Sequence, residues 1–135
     1  MATVAMIGDH EVEFFTPENL TGDKYYFALS TSDSGRSQVY DRWRYLGQDG
    51  VNLKKMGLGG RVGSVVGWVD ASSSALMSGA RDVLTALVTD AVPKDITFAD
   101  GPVVHGVVTA VSFPRIWGHN GRFCQDFILT WEELL

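Results

Sequence analysis

Apolar and polar positions alternate along most of this chain, and only once does the pattern change to a helical period. Thr3 to Ile7 is apolar and rich in β-branched residues, and Glu11-Val12-Glu13-Phe14-Phe15 alternates charge with apolar side chains. Both patterns predict strands with one buried face. Lys24 to Ser30 predicts a short aromatic strand between the turn-forming stretch Thr16–Asp23 and the polar loop Thr31–Gly35. Gln38 to Leu46 predicts another, with Val39, Trp43 and Tyr45 on one face. Arg61 to Val69 predicts a fifth.

The helical segment runs from about Ser72 to Thr89. Leu76, Ala80, Val83, Leu84, Leu87 and Val88 recur at helical spacing and mark one face for burial. Ser72, Ser73 and Ser74 are candidate N-caps, and Ala91-Val92-Pro93 stops the helix because proline cannot continue its hydrogen-bond ladder. Gly79 costs about 1 kcal/mol relative to alanine there, so close packing against a strand is expected at that point. Beyond the helix the chain reads as hairpins. Asp100-Gly101 separates Ile96–Phe98 from the run Val103–Phe113, and Asn120-Gly121 separates Val111–Trp117 from Arg122–Trp131. Both dipeptides suit tight turns that need positive φ. In the last strand Phe123, Gln125, Phe127, Leu129 and Trp131 share one face. The pattern describes one mainly β (α+β) domain, mostly antiparallel, with one helix.

Between Gly47 and Gly60 the periodicity lapses. Five glycines, at 47, 50, 57, 59 and 60, are interrupted by Val51, Leu53, Met56 and Leu58, with Lys54 and Lys55 between them. Long glycine-rich loops in small domains are commonly functional. This one is expected to be flexible and to order on a partner, which makes Val51, Leu53, Lys54, Lys55, Met56 and Leu58 the candidate subunit-contact residues.

A length of 135 residues suits a single domain with an ordinary core. No apolar run approaches the roughly 20 residues that span a bilayer, and Met1 to Asp9 lacks the basic start of a signal peptide, so no membrane partner is expected. The net charge of −5 argues against a surface that grips nucleic acid. A single cysteine, Cys124, excludes an internal disulfide. The three histidines, 10, 105 and 119, stand in different elements without ligand spacing, so no metal site is expected. Gly57–Gly63 has the composition of a phosphate loop but leads into a strand, whereas such loops open a helix. Trp43, Trp68, Trp117 and Trp131 read as core or interface residues, with a carbohydrate or small-molecule site as the other possibility. No cofactor and no catalytic residue is expected.

The order of elements in the second half is itself distinctive. A strand ending in Gly67-Trp68-Val69, a capped amphipathic helix, a short strand before Asp100-Gly101, then Val103–Phe113 and a final strand ending in Leu129-Thr130-Trp131 follow one another. This order, over Arg61–Leu135, resembles the tail-tube and distal-tail (baseplate hub) proteins of bacteriophages. The resemblance implies an antiparallel β-sandwich or split barrel with one flanking helix. It also implies a structural, non-enzymatic subunit of the virion tail, assembled in the host cytoplasm. Copies would join in a ring, six being the expected number, with other tail proteins as partners. DNA would pass through the lumen without specific binding, past walls whose acidity would let a polyanion slide. Distal-tail proteins often carry further domains, for which 135 residues leave no room. Two other classes stay open: a small β-barrel binding a flavin or another ligand, and a hydrolase or isomerase depending on His105 or His119.

Overall fold

A computed structural model describes residues 3–9, 11–17, 22–34, 38–43, 52–58, 61–99, 101 and 103–134, with 38–43 and 52–58 described by their backbone. The fold is a β-rich α+β arrangement. Its strands are β1 (Thr3–Ile7), β2 (Val12–Phe15), β3 (Lys24–Asp33), β4 (Gln38–Trp43), β5 (Asn52–Leu58) and β6 (Val62–Ala71), followed by helix α1 (Ser74–Asp90). After the helix come β7 (Lys94–Phe98), β8 (Val103–Ser112), β9 (Ile116–His119) and β10 (Arg122–Glu133).

Eight strands form one sheet in the order β6-β3-β2-β1-β7-β8-β10-β9, and β6 also pairs with β10, so the sheet closes on itself. Every pairing is antiparallel except the short parallel contact of β2 with β3, where Phe14 faces Tyr26 and Phe15 faces Phe27. Strand β10 is bonded along most of its length on both sides. It meets β6 from Phe123 to Glu132, while β9 and then β8 occupy its other edge.

Alternation sets which residues fill the interior. Along β6 the buried positions are Gly63, Val65, Gly67, Val69 and Ala71, a mostly small set. Larger side chains from opposite occupy the space they leave. A Cβ on Gly63 would stand 2.3 Å from Trp131 Cζ2 and 2.1 Å from the Ser32 carbonyl oxygen. The core is built from Trp131, Phe14, Phe127, Leu84, Ile96 and Leu129, all fully buried. Phe14 packs on Phe127 with ring centroids 5.6 Å apart, and Phe98 on Trp131 at 5.7 Å.

Helix α1 closes the interior against β8, β6, β10 and β3. Ser73 caps it, its Oγ accepting from Leu76 N at 3.2 Å, and Ala91 ends it in the left-handed region at φ 50°. Its buried stripe is Met77, Ala80, Leu84 and Leu87. That stripe corrects the predicted face at two points: Met77 is buried, and Val83 lies outside at 38% exposure. Gly79 is also corrected, because a Cβ there would meet nothing within 4 Å. The turn Asn120-Gly121 has φ of 50° and 75°, the paired positive values that the sequence predicts for a tight hairpin.

Two predicted loops are strand instead. Strand β3 continues through Thr31, Ser32 and Asp33, because Val65, Ser64 and Gly63 of β6 offer backbone partners there. In the glycine-rich stretch, Asn52–Leu58 is strand β5 and pairs antiparallel with β4 from Gln38↔Leu58 to Trp43↔Asn52. These two strands form a sheet of their own. A backbone ladder does not require side-chain alternation, which is why glycine at 57 is no obstacle to it.

Candidate functional site

Of the candidate contact residues, Leu53, Lys54, Lys55, Met56 and Leu58 lie on β5, and Val51 lies outside the described residues. Leu53, Lys54 and Lys55 stand opposite Arg42, Asp41 and Tyr40 of β4. The β4–β5 pair is therefore a hairpin arm inserted between two strands, β3 and β6, that are themselves paired.

The root of this arm is fastened by side chains as well as backbone. Ser34 N donates to Val62 O at 2.8 Å, and Val62 N donates to Ser34 Oγ at 3.0 Å. Arg61 then ties the root to the end of β10. Its Nε and Nη2 donate to Glu133 Oε2 at 3.2 and 3.0 Å, and its Nη1 lies 3.5 Å from Asp33 Oδ2. Glu133 N returns a bond to Arg61 O at 2.7 Å. Only 5% of the Glu133 side chain and 16% of the Arg61 side chain are exposed, so this pair is screened far less than a surface bridge.

A second feature lies on the outer face of β3, β6, β10 and β9, and the sequence patterns did not single it out as a unit. A groove of about 350 Å³ is lined by Leu29, Trp68, Pro114, Arg115, Trp117 and Ile128, among others. Strand β10 positions both indoles: Trp68 stands opposite Asp126 and Trp117 opposite Cys124, which leaves the rings 5.9 Å apart. Asp126 holds the groove's polar end. It accepts from Trp117 Nε1 at 2.7 Å and from Arg115 Nε at 3.1 Å, and Arg115 lies 5.4 Å over the Trp117 ring. Trp131 belongs to the core, and Trp68 and Trp117 are brought together here; the side chain of Trp43 lies outside the described residues.

Among the described residues, the remaining histidines and the cysteine do not converge on one site. His105 Nδ1 is 3.1 Å from Asp95 Oδ1 across the β7–β8 pair, and His119 Nε2 is 3.1 Å from Asn120 Nδ2 at the β9 turn. His10 lies outside the described residues. Cys124 is buried. Burial first, and then the Asp70 carboxylate, push its thiol up to about 11, so at neutral pH it is a protonated packing residue. Asp70 itself is engaged by Arg122, whose Nη2 also reaches the Gly22 carbonyl at 2.7 Å. Gly57 and Gly63 lie on β5 and β6, two strands, without the helix N-terminus that phosphate binding uses.

Neither a protein-family model nor a curated protein matches the sequence. In fold, the chain is similar to the Dit (gp 19.1) protein of phage SPP1, a paradigm of the hub adsorption apparatus in phages that infect Gram-positive hosts. The likeness has a TM-score of 0.59 over 98% of this chain, at 16% sequence identity. This chain spans 50% of the length of that protein. At such identity the likeness is one of fold.

Proposed function

We propose that this chain is a structural subunit of a phage or prophage tail, placed in the tube or in the baseplate and distal-tail ring. The observation that carries the reading is the likeness in fold to SPP1 Dit across 98% of the chain. In this reading, copies of the chain form a ring, six-membered by expectation, around a channel for DNA. The subunit works as a wall and a joint, without turnover or cofactor, and resides in the virion tail beside other tail proteins.

Three features support the reading. A ring needs two different surfaces on each subunit that fit one another head to tail. Among the described residues, Ser30–Asp33 of β3 and the whole of β9 are bonded to a strand on one side only, which leaves two separate edges for pairing. The β4–β5 arm, with its fastened root, is suited to reach a neighbouring subunit. The net charge of −5 disfavours adhesion of a polyanion to a channel wall.

The groove lined by Trp68 and Trp117 favours a second reading, a small β-barrel that binds a flavin or another ligand. Negative-stain electron microscopy of concentrated protein separates the two. Rings or stacked tubes with a central hole are expected. Small compact particles at every concentration, in a preparation that retains a stoichiometric ligand, would sink the tail reading and favour the carrier.

A further inference from the structure

The chain leaves the closed sheet for the arm after Asp33, the last residue of β3, and rejoins it at Val62, the first residue of β6. Among the described residues, β4 and β5 pair with each other and with no strand of the larger sheet. The direction of the arm is therefore set at these two crossing points. Arg61 stands at the second of them, and its guanidinium reaches both ways. Nη1 faces Asp33 Oδ2 at the end of β3, while Nε and Nη2 donate to Glu133 Oε2 at the end of β10. One side chain thus joins the ends of three strands. One residue further in, Gly63 stands opposite both Asp33 and Trp131, and the indole fills the space a side chain at 63 would need. Such close packing gives the junction no room to slide along the wall. The end of β10 is held from its other edge as well, where Leu134 N donates to His105 O of β8 at 2.9 Å.

We propose that Arg61 is the positioning residue of the arm: by bridging Asp33 and Glu133 it fixes the direction in which β4–β5 leaves the closed sheet. An ion pair taken out of water adds little net stability, because desolvation offsets the attraction, yet an arrangement that separates the charges is strongly disfavoured. Swinging the arm draws Arg61 away from Glu133 and leaves a carboxylate that is 5% exposed without this cation. Lysine supplies the same charge but not the same geometry. An ammonium is a point donor on a flexible stem, whereas the guanidinium presents its donors as a rigid fork that spans two carboxylates. In the tail-ring reading, on which this clause alone rests, an arm held in one direction meets its neighbour with less ordering left to do.

Nitroxide labels at Lys55→Cys on β5 and Asp82→Cys on the exposed side of α1, with the buried Cys124→Ser, report the arm's direction through pulsed electron spin resonance on dilute protein. With Arg61 in place, one narrow distance distribution is expected. Arg61→Met and Arg61→Lys should each broaden it about twofold or more, while circular dichroism and the urea midpoint of Arg61→Lys stay close to those of the parent. If Arg61→Met unfolds, Arg61→Lys decides alone, because it keeps the charge. An unchanged width in Arg61→Lys shows that charge without the fork suffices and overturns the proposal. So does a parent distribution already as broad as that of the variants. Electron micrographs of the same proteins separate this from the tail-ring reading. A parent that forms no rings, with a narrow distribution that Arg61→Lys broadens, supports the clamp and counts against the ring. Rings formed equally well by the parent and by a broadened Arg61→Lys overturn the clamp's part in assembly.

Discussion

Gly63 has the indole of Trp131 where its Cβ would stand, whereas Gly79, on the outer side of α1, has open space around it. The two glycines therefore differ in what an added methyl group would do. At Gly79 the methyl group meets nothing and removes conformational freedom from the unfolded chain. Gly79→Ala should stabilise the fold by about 0.5–1 kcal/mol, seen as a higher urea midpoint with an unchanged slope. A lower midpoint would mean that the outer side of α1 is packed after all. Sequence pattern reads Gly79 the other way, since a helix-breaking residue in mid-helix suggests a packing reason, and no local signal distinguishes a tight site from an empty one. The parity of β10 was more legible. Gln125, Phe127, Leu129 and Trp131 are buried together, as their period-two spacing predicts. Phe123 has the same parity but is 42% exposed, because it lies near the strand's start opposite Ala71 and Gly118, which offer it little to pack on.

At the scale of elements, the helix and the hairpins after it were readable because each carries local chemistry. Ser73 caps, Pro93 stops, and Asn120-Gly121 turns. The β4–β5 arm was half legible. Strand β4 has an apolar–polar pattern, but β5 is held by backbone pairing to β4, which hydropathy does not record. The groove was not legible at all, because Trp68 and Trp117 are far apart in sequence and meet only through the register of β10. Fastening at Ser34, Arg61 and Val62 separates the arm from the closed sheet, so the arm should be removable. Replacing residues 35–60 with a short Asn-Gly turn should leave the far-ultraviolet spectrum and the cooperativity of unfolding nearly unchanged, while rings are lost from electron micrographs. Loss of the cooperative transition would show that the arm belongs to the core.

For the molecule as a whole, the closed order of strands sets a gradient of stability. Strands β6 and β10 are bonded to each other along ten residue pairs, whereas β2 and β3 share two. Local opening follows the density of such bonds. Hydrogen exchange should therefore be slowest at the β10 amides from Cys124 to Trp131 and fastest, within the sheet, along β9, which is bonded on one side only. Equal protection of the two would indicate one indivisible cooperative unit.

The arm also bears on how fast the chain finds its fold. Ser34 and Val62, whose bond joins β3 to β6, are 28 positions apart in the chain. Bringing two such points together from a flexible coil carries an entropic cost that grows with the length between them, and distant pairings slow folding. The β4–β5 ladder shortens that distance, because a hairpin formed first delivers the ends of β3 and β6 side by side. In that order of events the arm would act as a zipper that closes from its own ladder toward β3 and β6. A neighbour that grips the arm only after assembly would be using a segment that has already served in folding.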